Sequence, residues 1–328
     1  MYIPVLSPVL GEIYYLFLKL DRILTRPVKL PKPVVSVGNI ALGGRGKTPF
    51  VIEIVNKLKM ESYEPVVLTR GYARKSRKSH VWLQPGSKKN FSGELCGDEA
   101  LEIFYKTRVP VLVGPKRFQN ALLFLRGLNP KRKIVFVLDD GFQHWSLSRI
   151  FDLVLVQEED FQSSLLPLGY LREKPAALSR ADLVFELGKD FSKKVFFKKS
   201  PPKDKPLVVL TTRAKDLDYK RFFEENFKNP FFLELRDHAN SDAIRKALED
   251  FPAETPICLG AKEATKIMSY VEFGHFLEEG FTKKLFAPLP GTQATLREFY
   301  LADFRLWMFQ PDLLWSRLEP KLKEFFSG

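Results

Sequence analysis

Six apolar runs of strand length succeed one another between Pro33 and Leu187: "PVVSVG" (33–38), "EPVVLTRG" (64–71), "VPVLVG" (109–114), "KIVFVLDDG" (133–141), "FDLVLVQ" (151–157) and "ADLVFEL" (181–187). They are rich in β-branched residues and rarely alternate with polar ones, which suits strands buried on both faces. Helical spacing separates several of them. Val51, Ile54, Val55 and Leu58 make one apolar face, Leu101, Phe104 and Tyr105 a second, and Ala121, Leu122 and Leu125 a third. This rhythm predicts an α/β fold, a mostly parallel sheet with helices on both faces. Sheets of that kind bind ligands at the carboxyl ends of their strands.

The first run leads into "VGNIALGGRGKTPF", Val37 to Phe50. A phosphate cradle needs backbone N–H groups aimed at one point, a helix N-terminus behind them and one mobile cation. Gly43, Gly44, Arg45 and Gly46 supply the loop, and Lys47 is placed to reach β/γ-phosphates. The Thr48 hydroxyl can ligate Mg²⁺, and Pro49 suits a first helical turn. The general pattern wants glycine where Ala41 stands, which matters only if that position needs a positive φ or very close ligand approach. A chance glycine-rich turn is the competing reading. The fourth run ends in Asp139 and Asp140, and an Asp at a strand end can hold the Mg²⁺ that bridges nucleotide phosphates. Neighbouring strand residues point to opposite sides, so the two should play different parts. Together these features predict a P-loop NTPase-like domain that binds a nucleotide with Mg²⁺.

Other clusters are ambiguous by themselves. "CGDEA" puts Asp98 and Glu99 at the start of a helix, where carboxylates also favour the helix dipole. His144 and His238 read as structural histidines when taken alone, as do His80 and His275. Cys96 and Cys258 have no metal-ligand spacing and form no disulfide framework, so they read as buried small hydrophobes in a reducing compartment. The formal net charge of +13 favours an anionic partner without choosing among nucleotide, phospholipid, phosphorylated substrate and nucleic acid. The basic stretch "GYARKSRKSHVWLQPGSKKN" (71–90) is a solvated loop or a flap over an anionic substrate. Its sparse aromatics argue against single-strand nucleic-acid binding, and no nucleic-acid partner is expected.

Before the first strand, Ile13, Leu16, Phe17, Leu20 and Leu24 follow helical spacing, with Arg26, Lys29 and Lys32 beyond them. This helix either lies in a membrane interface or packs on the body of the protein. The N-terminus lacks a charged region and cleavage site of secretory type, and no apolar run is long enough to span a bilayer. "GKDFSKKVFFKKSPPKDKP" (188–206) reads as a connection between domains. Beyond it, "PLVVLTT" (206–212), "PFFLEL" (230–235) and "TPICLG" (255–260) read as strands, with helices over 219–227 and 241–251. The aromatic-rich tail reads as two helices broken at Pro311. The expected domains are an N-terminal helix (1–29), a P-loop domain (30–200) and a smaller α/β domain with the tail (206–328).

The combination "SVGNIALGGRGKTP", "TRGYARKS", "CGDEA", "VLDDGFQH", "LLPLGYLREKPAALSRADLV" and "RDHANSDAI" resembles the tetraacyldisaccharide 4′-kinases. The resemblance is dense from Leu30 to Val184 and thinner from Leu207 to Ile267. It implies transfer of the ATP γ-phosphoryl group to a lipid A precursor, an acylated glucosamine disaccharide 1-phosphate. The implied place is the cytoplasmic face of the bacterial inner membrane, with the N-terminal helix on its anionic surface and the protein a monomer. By the same resemblance Lys47 and Thr48 serve ATP and Mg²⁺, Asp139 and Asp140 organise metal and phosphates, and Gln143 and His144 stand beside them. Asp98 acts with His238 in catalysis, and Glu99 sits near the metal or substrate. The chain departs from the family at Ala100 and Arg236, where members often carry proline, and "AKEATK" (261–266) is only loosely like the motif expected there.

Overall fold

The computed structural model describes residues 6–72, 74, 76, 79–87, 91–211, 217–235, 241–268, 270–286, 295–308 and 310–327. In chain order, helix α1 (Leu6–Leu24) precedes strand β1 (Val34–Asn39), α2 (Lys47–Met60), β2 (Glu64–Thr69) and β3 (Val81–Leu83). Then come α3 (Gly93–Cys96), α4 (Asp98–Thr107), β4 (Val111–Val113), α5 (Arg117–Leu125), β5 (Ile134–Asp139), β6 (Phe151–Val156) and β7 (Leu183–Glu186). The second half has β8 (Phe191–Phe196), β9 (Leu207–Thr211), α6 (Leu217–Asn226), β10 (Pro230–Glu234), α7 (Ser241–Leu248), β11 (Ile257–Leu259) and α8 (Ala261–Ala264). It closes with α9 (Tyr270–Glu279), β12 (Phe281–Phe286), β13 (Thr295–Leu301), β14 (Asp303–Met308) and α10 (Pro311–Ser327).

The first sheet has seven strands in the order β3-β4-β2-β5-β1-β6-β7, all parallel except the edge pair β3/β4. Every residue of β1 and β5 is buried, as expected for central strands covered on both faces. Val35, Val37, Val135 and Val137 point to one face, packed with Phe50, Val51, Ile54 and Leu58 of α2 and Leu101 and Phe104 of α4. Val34, Leu68, Phe136 and Leu138 point to the other, toward Ala121 of α5. Leu122, assigned to that helix's apolar face from spacing, is instead exposed.

The second sheet has five strands in the order β10-β9-β11-β13-β12, with β12 antiparallel to its neighbour. Here the sequence reading needs correction. The "TLREFYL" and "DFRLWM" segments, expected to be helical, are β13 and β14. The reason is period two: Arg297, Phe299 and Leu301 all turn inward. Arg297 is buried and donates to the carbonyls of Leu248, Phe251 and Pro252, closing the C-terminal end of α7. The lysine-rich connection also contains a strand, β8, because β14 pairs with it antiparallel.

The tail beyond Pro311 is a helix, but it returns to the first half of the chain. Leu314, Leu318 and Leu322 of α10 are buried in the core that contains α2 and α4. Trp315 meets Tyr63 edge-on at 6.5 Å, and Lys321 pairs with Asp182. That same core continues into Val208, Leu210, Ile257 and Phe299 of the second sheet. The two sheets are therefore joined by shared apolar packing as well as by the linker.

Candidate active site

Because β1, β2, β4, β5 and β6 run parallel, the loops after them open at one edge of the sheet. That edge gathers residues 40–46, Arg70, Arg117, the Asp pair and Asp160. The loop after β1 turns at Gly43 (φ 102°) and Gly46 (φ 82°), values an L side chain rarely adopts. Ala41 has no such backbone. It is fully buried and bridges Leu171, so glycine is not required there. Helix α2 starts at Lys47 with no side-chain cap, leaving its first N–H groups directed at the loop. Thr48 follows in that first turn, with Pro49 where a missing N–H costs little.

Lys47 Nζ lies 3.4 Å from Asp140 Oδ1. Arg172 Nη1 donates to both Asp140 oxygens at 2.8 Å. Burial opposes ionisation of Asp140, but the charges of Lys47 and Arg172 outweigh it and hold the carboxyl below its usual range. Asp139 is different. It is buried, accepts from Thr69 Oγ1 at 2.9 Å, and is pushed up by burial and by Asp140 beside it. Strand β5 ends between them, and Asp140 takes a left-handed φ of 51°. The paired carboxyls are thus split, one held below its usual range at the loop and one pushed up within the sheet.

Gln143, expected beside the nucleotide, bonds to three protein groups. Its amide donates to the Asn39 carbonyl (2.9 Å) and Glu173 (3.0 Å) and accepts from Arg172 (3.3 Å). His144 turns its ring to Ser146 Oγ at 3.3 Å, and burial with nearby Arg117 and Arg149 lowers its pKa to about 4. Arg45, placed with the phosphate ligands by sequence, has its guanidinium on Asp160. Asp98 and Glu99 open α4 after Gly97 (φ 91°). A Cβ on Gly97 would meet the Tyr72 carbonyl at 2.9 Å, which keeps this turn against the loop after β2. His238 lies outside the described residues. Both cysteines are buried, and burial pushes the Cys96 thiol up to about 12.

Sequence reasoning missed Thr69, Arg117, Asp160, Arg172, Glu173 and Arg180, whose guanidinium pairs with Glu173 at 2.8 Å. Arg172 and Glu173 were in view within "LLPLGYLREKPAALSRADLV", yet nothing local says that they reach back to Asp140 and Gln143.

The residues fit ATP and Mg²⁺. The α2 N-terminus is uncapped, and both polar side-chain atoms of Asn39 are buried without a protein partner. Among the described residues no group of three His, Cys, Asp or Glu could hold a metal by itself. Thr48 and the Asp pair would share such an ion with phosphate oxygens and water, as Mg²⁺ usually requires.

The sequence profile of the family described as "LpxK: Tetraacyldisaccharide-1-P 4'-kinase" matches residues 4–241. The chain belongs to the tetraacyldisaccharide 4′-kinase family. It is 40% identical over 163 residues to the tetraacyldisaccharide 4'-kinase of Aquifex aeolicus, covering 49% of this chain and 50% of that one. It is 32% identical over 260 residues to that of Idiomarina loihiensis, covering 74% and 77%. The match thus spans about half the length of the Aquifex kinase and more of the Idiomarina one. A crystal structure of LpxK from Aquifex aeolicus in complex with ATP shares the fold, with a TM-score of 0.68 and 23% identity over 95% of this chain and 97% of that one. Among the described residues no helix is long and apolar enough to cross a membrane.

Proposed function

We propose that the protein transfers the γ-phosphoryl group of ATP to the 4′-hydroxyl of tetraacyldisaccharide 1-phosphate in lipid A biosynthesis. The carrying observation is the Lys47–Asp140–Arg172 cluster at the uncapped start of α2, in a chain of the 4′-kinase family. Phosphoryl transfer passes through a loose transition state, so positioning and charge neutralisation supply most of the catalysis. The glycine turn presents backbone N–H groups, and Lys47 supplies a cation between phosphates and Asp140. Bound Mg²⁺ adds charge neutralisation across the phosphate oxygens. Arg172 keeps Asp140 ionised and fixed. Asp98, assisted by His238, takes the proton of the attacking hydroxyl.

The lipid surface is part of the same reading. Helix α1 exposes Ile13, Leu16, Phe17, Leu20, Ile23 and Leu24, while Gly11 is buried at Leu165. Glu12 pairs with Lys174 at 2.8 Å, and Lys174 lies over the Tyr15 ring. The helix is thereby held on the body of the protein with an apolar face outward, suited to the interface of an anionic membrane. We place the protein, as a monomer, on the cytoplasmic face of the bacterial inner membrane.

Labelled ATP and tetraacyldisaccharide 1-phosphate in mixed micelles test the reaction. Label should appear on lipid. ATP hydrolysis without lipid labelling would instead indicate a nucleotide-driven switch. Flotation with anionic vesicles tests the surface: Phe17→Glu with Leu20→Glu should abolish association and leave the melting temperature unchanged.

A further inference from the structure

The tip of the glycine loop, at Gly43 and Gly44, is bordered by open space. A Cβ on Gly44 would meet nothing within 4 Å, and Gly43 would meet only Arg45. Glycine gives such a loop its shape and also many competing shapes. The structure ties the loop at both shoulders. On one side, Leu42 N–H donates to the Tyr170 carbonyl at 2.7 Å, and Ala41 bridges Leu171. On the other, Arg45 Nε and Nη2 grip Asp160, with Nε 3.0 Å from Oδ1 and 3.1 Å from Oδ2. The circuit closes through Tyr170. Its ring lies 5.1 Å from the Arg45 guanidinium, and its hydroxyl donates to the Glu159 carbonyl at 2.8 Å.

Asp160 is itself fixed. It is fully buried, and its Oδ2 accepts from the Gln157 N–H at 3.0 Å in a short 3-10 turn (Glu158–Phe161) after β6. Strand β6 is the direct neighbour of β1, so the turn after one faces the loop after the other. The Arg45 side chain is only 11% exposed. A buried two-pronged arginine–carboxylate contact fixes direction as well as distance.

We infer that Asp160 is a positioning residue of the nucleotide site: through Arg45 it locks residues 42–46 in their phosphate-receiving shape before ATP arrives. This rests on the nucleotide reading of the loop and adds how the loop is held. Ordering the loop in advance removes a cost that binding would otherwise meet. Arg45 then serves the phosphates by holding backbone, and Lys47 is the loop's contacting cation.

Two variants separate this role from simple charge. Removing the Asp160 carboxylate by Asp160→Asn should by charge alone strengthen binding of an anion, whereas Arg45→Met should weaken it. Positioning predicts the same sign for both: ATP affinity, by calorimetry without acceptor lipid, falls about 10-fold in each. The double variant should be no worse than either single, since both remove one contact. The turnover number at saturating ATP should stay within about 3-fold, as for loss of uniform binding. Hydrogen exchange on nucleotide-free protein gives a separate readout. Amides at 42–46 should exchange about 10-fold faster in both variants, with the later turns of α2 unchanged. Opposite signs, additive losses or unchanged loop exchange would overturn the inference. Failure of the nucleotide reading looks different: wild type would then take up no ATP, and loop exchange alone would decide whether the clamp exists.

Discussion

His144 is kept neutral by its surroundings. Burial, then the charges of Arg117, Arg149 and Arg70, take its pKa to about 4. An unfolded histidine titrates near 6.5. Between those values the unfolded chain binds the proton and the folded one does not, so stability is complete above about pH 6.5 and falls toward pH 4. The loss is about 2 kcal/mol after discounting for the part of the ring that meets solvent. Denaturant melts from pH 7 to pH 4.5 should show this slope in wild type and a flatter one in His144→Gln. Gly38 is constrained by space. A Cβ there would stand 2.5 Å from Phe142 Cβ and 2.7 Å from its backbone nitrogen. Backbone cannot swing aside, so Gly38→Ala should cost about 1–3 kcal/mol and displace the turn after Asp140. A lowered melting temperature with raised KM for ATP would register both effects. Lys47, Thr48 and the Asp pair were legible in sequence because their neighbours in the chain define their setting. Asp160 and Arg172 were not, since their partners lie 115 and 32 residues away.

Among the elements, α10 has a role its sequence does not reveal. Its apolar residues fit a helix, yet no local pattern says that it packs beside α2 in place of the second sheet to which it is linked. Leu318 is buried there, and Lys321 also donates to the Ile150 carbonyl at 3.1 Å. Leu318→Ala should therefore destabilise the protein by about 2–4 kcal/mol. If α10 belonged to the second sheet alone, hydrogen exchange in α2 would stay as slow as in wild type; the packing predicts that it rises. The β13 and β14 segments show the opposite limit. Aromatic-rich stretches suit either helix or strand, and pairing with β11, β12 and β8 settles the matter.

At the scale of the whole molecule, the two sheets meet along α4. Tyr105 packs edge-on against Phe273 at 4.9 Å, and Arg108 pairs with Glu278 at 2.8 Å. A Cβ on Gly93 would meet both the Asp98 carboxyl and, at 3.8 Å, the Thr265 hydroxyl, so the start of α4 lies near the second half of the chain. Asp98 is therefore placed where a group from the second half could reach it. If Asp98 and His238 act as one unit, Asp98→Ala and His238→Ala should each lower the turnover number about 100-fold or more. The double variant should fall no further than the worse single. Multiplicative losses in steady-state kinetics would assign them separate tasks.

The sequence by itself determined the α/β class, the phosphate loop, the strand-end carboxylates and the apolar face of α1, because each depends on spacing within one element or on adjacent residues. Tertiary structure alone decided which of Asp139 and Asp140 has its carboxyl held below the usual range, because that depends on Lys47 and Arg172 arriving from other elements. It also decided that Arg45 grips Asp160, that α10 returns to the first sheet and that Ala41 can replace glycine. Each of these is a contact between distant segments, set by strand order and by the burial that makes an unpaired charge costly.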